Sequence, residues 1–392
     1  MLNNAQKAVG LALLALALLA GCTPLPARPP ATTTRVAPLT ARPTVIVLEG
    51  HILTPTPMPT LPPQPTPSPL PTVEPAPTFT RMTAGGCCVQ PFFSPDGSRI
   101  LYVDKPAPAD RTGLWSVPIS QPLAAPQFYN ARLGLFSNDM AYNEFLVNGR
   151  TIVERASDGK QWTIDNGGRR VLFSPDDRRI AWSVGEDAGN FDVRRSIIWV
   201  ADIDGSAAHP VATLYGGGLQ AWFNDSTRLL VSGKMQRDDI TSTLGILNVD
   251  NGAASMRKLA DVARLRSILL SPDDRYLVYY ISQAQDEALD GMWLLDLTQP
   301  APRPQRLDFF GAYQWCGPGS LYYIPLQMGA ASNELWRYDV TTGQSTRLIA
   351  ASADSPFKVG NGDWDVTAGG RYIVYFNARD HNIWLAALPE GC

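Results

Sequence analysis

The phrase Phe93-Ser94-Pro95-Asp96-Gly97, followed by the run Arg99-Ile100-Leu101-Tyr102-Val103, returns along the chain in unequal copies. Pro95 presets the φ of a type I turn, Asp96 closes it through its side chain, and Gly97 relieves crowding at its exit. The β-branched and aromatic run that follows has strand character, so the phrase reads as strand, tight turn, strand. The first apolar residues after successive turns are Ile100, Ile180, Leu229, Leu277, Leu321 and Ile373, at intervals of 80, 49, 48, 44 and 52 residues. Units of roughly 40 to 50 residues with several short strands each are the sequence form of propeller blades. The long first interval hides a degenerate unit, with strands predicted at Leu133 to Phe136, Glu144 to Val147, Thr151 to Ser157 and Lys160 to Asp165. The expected fold class is all-β: a β-propeller of four-stranded blades, with seven blades favoured over six.

A second landmark recurs inside the clear units. A tryptophan opens an apolar strand at Trp115, Trp199, Trp293, Trp336 and Trp384, placed 15, 19, 16, 15 and 11 residues after the registered position. One tryptophan per unit at a fixed place argues for packing between neighbouring sheets rather than for a sugar-stacking surface. The last unit stops after its third strand, Ile383 to Leu388, leaving an outer edge unpaired. Exposed edges are usually covered, and Thr78 to Met82 is placed to supply the missing strand and close the ring with the chain's two ends. Cys392 then lies beside that closure, which predicts a disulfide to Cys87 or Cys88, while Cys316 reads as a packed thiol.

The chain opens differently. Lys7 precedes the apolar run Leu11 to Ala20, which is too short to span a bilayer and ends on Leu19-Ala20-Gly21-Cys22. These four residues resemble the lipoprotein box of bacterial secretory signals. The resemblance implies removal of residues 1–21, acylation of Cys22 and an extracytoplasmic protein held to the cell membrane by lipid. From Thr23 to Thr80, 17 of the protein's 34 prolines fall within 58 residues, mostly partnered by threonine. No core can form from such a composition, so residues 22–80 read as a disordered stalk and 81–392 as the propeller. One apolar interruption, Val45 to Leu48, stands inside the stalk.

The Pro-Asp turn phrase, intact at Phe93 to Gly97 and Phe173 to Asp177 and nearly so at Leu270 to Asp274, resembles the repeats of TolB-like propellers over roughly residues 89 to 392. It decays elsewhere: Phe223-Asn224-Asp225 lacks the proline, Cys316-Gly317-Pro318-Gly319 lacks the aspartate, and Thr367-Ala368-Gly369-Gly370 keeps only the turn shape. The resemblance implies a propeller with a protein-binding or scaffolding role in the cell envelope. It transfers no catalytic residue.

A formal net charge of -3 gives no basic surplus for nucleic acid. Signatures of a nucleophile elbow, a phosphate loop, a zinc helix or a Cys-x-x-Cys pair are absent from the sequence. The three histidines, His51, His209 and His381, are scattered. The connections between second and third strands carry 11 acidic and seven basic residues. Among them Asp187, Asp192, Asp238, Asp239, Asp286, Glu287 and Asp290 form a candidate acidic rim for a ligand or a hard cation such as Ca2+. Asn361, Asp363 and Asp365 alternate in the manner of calcium-loop ligands, without the glycine and distal glutamate such loops carry. The expected function is a monomeric, lipid-anchored envelope module that binds a protein or glycan, without a cofactor and without chemistry of its own. The alternative is a propeller hydrolase or lyase that uses loop carboxylates and a divalent cation.

Overall fold

The computed structural model describes residues 76–186, 190–284 and 286–392. Cys22, the expected lipidation site, and most of the expected stalk lie outside the described residues. The chain is all-β. An isolated strand, β1 (Thr78–Arg81), precedes a first sheet of β2 (Val89–Phe93), β3 (Arg99–Asp104), β4 (Gly113–Pro118) and β5 (Gln127–Asn130). The second sheet holds β6 (Leu135–Phe136), β7 (Tyr142–Val147), β8 (Arg150–Arg155) and β9 (Gln161–Ile164). The third has seven strands: β10 (Leu172–Phe173), β11 (Arg179–Gly185), β12 (Arg195–Asp202), β13 (His209–Trp222), β14 (Arg228–Lys234), β15 (Ser242–Asn248) and β16 (Gly252–Val262). A fourth follows with β17 (Leu265–Leu270), β18 (Tyr276–Ile281), β19 (Gly291–Asp296) and β20 (Gln305–Leu307), and a fifth with β21 (Gly311–Gly317), β22 (Ser320–Pro325), β23 (Leu335–Asp339) and β24 (Gln344–Ile349). The last sheet is β25 (Val359–Val366), β26 (Tyr372–Asn377) and β27 (Ile383–Ala387), with β1 added at its outer edge. The arrangement is a β-propeller.

The degenerate unit takes its place as the second sheet, within a few residues of the expected strands. In the seven-stranded sheet the long strand β13 is shared: its first half pairs with β12 and its second half with β14, and the register slips between Tyr215 and Gly218. Glycine is required there. A Cβ on Gly217 would sit 2.0 Å from the Ser232 carbonyl oxygen, and one on Gly216 2.6 Å from that of Asp192.

The recurrent turn is built as its residues dictate. Ser94 Oγ donates to Asp96 at 2.6 Å, the Ser98 N–H donates to the same carboxylate at 3.1 Å, and the Arg99 N–H donates back to Ser94 Oγ at 3.0 Å. The pattern repeats with Ser174 and Asp176, with Ser271 and Asp273, and in the degenerate unit with Ser137 and Asp139. Hydrogen bonds from Ser94 and Ser98 pull the Asp96 carboxyl down to about 2. These aspartates are turn formers.

The residue after them adopts a left-handed conformation, with φ of 58° at Asp177, 57° at Ser226 and 61° at Asp274. Its side chain reaches the preceding turn in the ring. Ser226 Oγ accepts from the Asp176 N–H at 3.1 Å, and Asp274 accepts from the Asn224 N–H at 2.7 Å. Asp177 faces Asp139 in the same way.

The core lies between sheets rather than inside one compact centre. Leu230, Leu244 and Ile246 pack on Leu270, Leu277 and Leu295; Tyr276 and Met292 pack on Trp315, Leu321 and Tyr338; Tyr322 and Leu335 pack on Trp364, Ile373 and Tyr375. The ring closes where Met82, Ile100, Tyr102 and Trp115 meet Val374, Ile383 and Leu385. At that seam β1 pairs antiparallel with β27, from Thr78 opposite Ala387 to Arg81 opposite Trp384. The inner strands are joined as well, since the buried carboxylates of Asp365 and Asp363 accept the Phe93 and Gln90 N–H groups at 3.0 and 3.2 Å. The alternating aspartates that resemble a calcium loop are therefore struts between the last sheet and the first.

The repeated tryptophans pack in these inter-sheet clusters, and four of the five also hold the loop that precedes them. The indole N–H of Trp115 donates to the Arg111 carbonyl, that of Trp293 to the Leu289 carbonyl, that of Trp384 to Asp380 and that of Trp336 to Glu334, at 2.9 to 3.2 Å.

The cysteine pairing differs from expectation. Cys392 is bonded to Cys316, and Cys87 to Cys88. The C-terminal tail runs past the turns of the fifth and last sheets, with the Cys392 N–H donating to the Gly369 carbonyl at 2.8 Å and Arg337 donating to the Gly391 carbonyl at 3.1 Å. This route brings the Cα atoms of Cys316 and Cys392 to 5.7 Å, an ordinary disulfide spacing. It also accounts for the decayed turn phrases. A Cβ on Gly370 would lie 3.0 Å from Cys316 Cβ and 3.1 Å from Cys392 Sγ, and one on Gly317 3.2 Å from Cys392 Cβ.

Candidate functional site

Superposing the units by their turns exposes an exception in the second sheet. The positions occupied by Ile100 and Leu101, Ile180 and Ala181, Leu229 and Leu230, Leu277 and Val278, and Ile373 and Val374 are Asn143 and Glu144 on β7. Both are buried, Asn143 at 4% exposure and Glu144 at 0%. Asn143 Oδ1 and Glu144 Oε1 have no hydrogen-bond partner. Leaving a buried acceptor unpaired costs about 1–3 kcal/mol, so polar groups at core positions mark a site where something other than folding set the residue.

Side chains alternate along a strand, so the two residues serve opposite faces of the sheet. Glu144 faces the third sheet, where Oε2 accepts from Arg170 at 3.2 Å. Burial raises its pKa, with only partial relief from the Arg170 charge. The backbone crowds it too: a Cβ on Gly134 would overlap the Glu144 carbonyl oxygen at 1.5 Å.

Asn143 faces the first sheet, across the smallest inter-sheet cluster, Leu101, Leu114, Phe136 and Met140. Beside it opens a cavity of about 390 Å³ lined by Phe128, Tyr129, Asn130, Asn143 and Glu154 together with Phe136, Met140 and the alanines Ala131 and Ala156. That volume lies within the range of small-ligand sites. Tyr129, 46% exposed, lines one side from β5, while its neighbour Phe128, 40% exposed, is braced edge-on against Trp115 at 5.3 Å. Glu154 projects from β8. It accepts from Gln161 and lies 3.7 Å from the Arg132 guanidinium, which stacks 4.0 Å above the Phe145 ring. Aromatic and apolar side chains, two asparagines and the Glu154 carboxylate thus line one groove, with the Arg132 guanidinium near that carboxylate. The arrangement suits a ligand with apolar faces and several hydroxyl groups.

The acidic rim is not a site of this kind. Asp239 accepts the Met235 and Gln236 N–H groups at 3.0 and 2.9 Å, Asp290 those of Gln283 and Ala284, and Asp286 that of Ala288. These carboxylates shape their own loops. Asp192, Asp238 and Glu287 remain exposed on separate loops, and Asp187 lies outside the described residues. Among the described residues the one group of three or more potential ligand side chains is Cys87, Cys88 and Asp104. Two sulfurs and one carboxylate are unsuited to Ca2+ or Mn2+, which prefer oxygen donors. No step of chemistry is therefore assigned to a hard cation. The exposed His209 bonds the Ala207 carbonyl, and His381 stacks on Phe376 in another sheet.

No family model matches the chain, and no curated protein matches it. Solved structures do. An oligogalacturonate lyase in complex with manganese is similar at 15% identity, with 80% of this chain and 93% of that one covered and a TM-score of 0.54. An oligogalacturonate lyase from Vibrio parahaemolyticus is similar at 12% identity, covering 79% and 93%, also at 0.54. The β-propeller domain of the Trilobed protease from Pyrococcus furiosus gives 13% identity, coverage of 78% and 98%, and a TM-score of 0.51. At these identities the likeness establishes the fold. The expectation of a chain that performs no chemistry is overturned, because solved structures similar to it in arrangement include enzymes covered over 93% of their own length.

Proposed function

We propose that the chain is a carbohydrate-active propeller, a lyase or hydrolase, whose substrate lies in the groove between the first and second sheets. The observation that carries this reading is the cavity of about 390 Å³ lined by Tyr129, Asn130, Asn143 and Glu154, beside the buried, unpaired amide oxygen of Asn143. A pyranose face would lie on Tyr129, and sugar hydroxyl groups would bond the polar side chains that line the groove, Asn130 and Glu154. A uronate carboxylate would compete for Arg132, which is half-exposed and held to Glu154 at 3.7 Å only. Glu154, released from that pair, is then free to move a proton to or from the bound sugar. The lyase likeness agrees with an acidic saccharide as substrate.

The surrounding readings follow the sequence. We take the seven-stranded sheet as two blades sharing β13, which gives seven blades in all. The Pro-Asp turns support a TolB-like envelope protein, and the Leu-Ala-Gly-Cys box supports a mature chain tethered outside the cytoplasm through acylated Cys22. Among the described residues no helix is long and apolar enough to cross a membrane.

The test is to incubate the full chain with acidic and neutral oligosaccharides and follow two products. Ultraviolet absorbance of an unsaturated uronate reports elimination, and new reducing ends without it report hydrolysis. Glu154→Gln should lower turnover by about 10²-fold or more while the fold is kept. Turnover unchanged in Glu154→Gln, or neither binding nor product with any saccharide, refutes the reading.

A further inference from the structure

Two disulfides of opposite character stand in one ring. Cys316–Cys392 ties residues separated by 76 positions, and so restrains the unfolded chain strongly. Cys87–Cys88 joins sequence neighbours and encloses no loop to restrain. Chain entropy gives it no stabilising role, so its place in the structure calls for another.

That place is the seam. The pair lies between β1, which completes the last sheet, and β2, which opens the first. Cys87 is half-buried and Cys88 buried at 9% exposure, and the Asp104 carboxylate at the end of β3 comes close: its oxygen and the two sulfurs all lie within 4.8 Å of one another. Thr83 Oγ1 stands 3.3 Å from Cys87 Sγ and 3.7 Å from Cys88 Sγ, and the same oxygen accepts the Ile383 N–H of β27 at 2.9 Å. The Gly86 N–H donates to Asn382 Oδ1 at 3.2 Å. Sulfurs, carboxylate and ring-closing hydrogen bonds thus form one cluster.

We propose that Cys87, Cys88 and Asp104 are a redox-gated site for a thiophilic divalent cation of the Zn2+ class, closed while the disulfide stands and opened by a thiol reductant. In the opening step two reductant thiols are oxidised to a disulfide as the Cys87–Cys88 bond takes up two electrons and two protons. Binding then exchanges those two thiol protons for the cation, which gains two thiolates and the Asp104 carboxylate as ligands. Water is left to complete a tetrahedral set. Thr83, which touches both sulfurs and holds β27, places the site against the seam.

The experiment uses the full chain, oxidised or treated with a phosphine reductant that is then removed, and titrates it anaerobically with Zn2+ and with Co2+. Expected is one equivalent bound by the reduced chain and none by the oxidised chain, with Co2+ giving the intense near-ultraviolet thiolate band. Asp104→Asn should weaken binding at least tenfold, and the joint change Cys87→Ser and Cys88→Ser should abolish it. The joint change Cys316→Ser and Cys392→Ser should leave it intact. Equal uptake by oxidised and reduced chain, uptake that survives loss of Cys87 and Cys88, or no uptake by a reduced wild-type chain whose mass shows the added hydrogens would each overturn the proposal. Should the double serine variant not fold, the single Cys88→Ser variant serves, with loss of the thiolate band as its readout.

Discussion

Removing the sulfur of Cys392 isolates the worth of one covalent link. Cys392 is the last residue described, and its backbone keeps the hydrogen bond to Gly369 in a Cys392→Ala variant. Only the tie to Cys316, across a separation of 76 residues, is lost. The chain-entropy relation for a loop of that length gives about 4.5 kcal/mol at 25 °C. The Cα separation of 5.7 Å is normal, so no native-state strain offsets the gain, although measured effects usually fall to about 2–4 kcal/mol. Equilibrium denaturation of wild type and Cys392→Ala in oxidising buffer should show that loss, and the difference should vanish when both are measured in reductant. The joint serine change at Cys87 and Cys88 should cost only about 0.5 kcal/mol, since no loop is released. A Cys392→Ala variant as stable as wild type, or a loss of equal size from the adjacent pair, would refute the reasoning.

Three further outcomes are expected. Asn143→Leu restores the apolar residue found at this position in other units and removes an unpaired acceptor, so it should stabilise the fold by about 1–2 kcal/mol while abolishing saccharide binding; calorimetry and a binding titration on the same variant check both signs. Asp177 is pushed up to about 7, first by burial and then by the facing Asp139 carboxyl, whereas an unfolded aspartate ionises near about 3.9. Its contribution is fully present below about pH 4 and is lost as pH rises through about 7, an effect of about 1–2 kcal/mol after allowance for its partial exposure; Asp177→Asn, whose amide donates to Asp139 at every pH, should flatten the denaturation midpoint across that window. Finally, Cys22→Ser should move the protein from the membrane fraction to the soluble fraction on cell fractionation, and unchanged membrane retention would contradict the lipid anchor.

Much of the ring could be read before any coordinates, for a local reason. Ser94, Pro95, Asp96 and Gly97 determine a turn through contacts within five residues, and the tryptophans fix their loops through partners two to four residues away. The closing strand was legible as well, because an unpaired edge at Ile383 to Leu388 demands a partner. The disulfides were not. Gly317 and Gly370 looked like decay of a repeat, whereas they make room for the C-terminal tail that carries Cys392. The groove was hidden by its form, an absence of apolar side chains on one sheet beside aromatic groups on another. A signal for it did exist in Asn143 and Glu144, which break the apolar register of every other unit. The acidic loops were ambiguous, because Asp239, Asp286 and Asp290 satisfy backbone N–H groups a few residues away, a use that composition cannot separate from ligand binding.

The pairing of β1 with β27 also sets a timetable. Arg81 meets Trp384, a partner roughly 300 residues downstream, so the first of the described strands is the last to be seated. At synthesis rates of about 5–20 residues per second it waits on the order of 15 to 60 seconds for its partner to exist. Throughout that interval the intermediate sheets can form in sequence, but the strand at the head of the chain has a free edge and nothing to bond. A chain interrupted before Ile383 would therefore possess most of its blades and still be an open arc, with two unsatisfied edges available to other molecules. Arrival of β27, rather than formation of any single sheet, is the event that makes the ring.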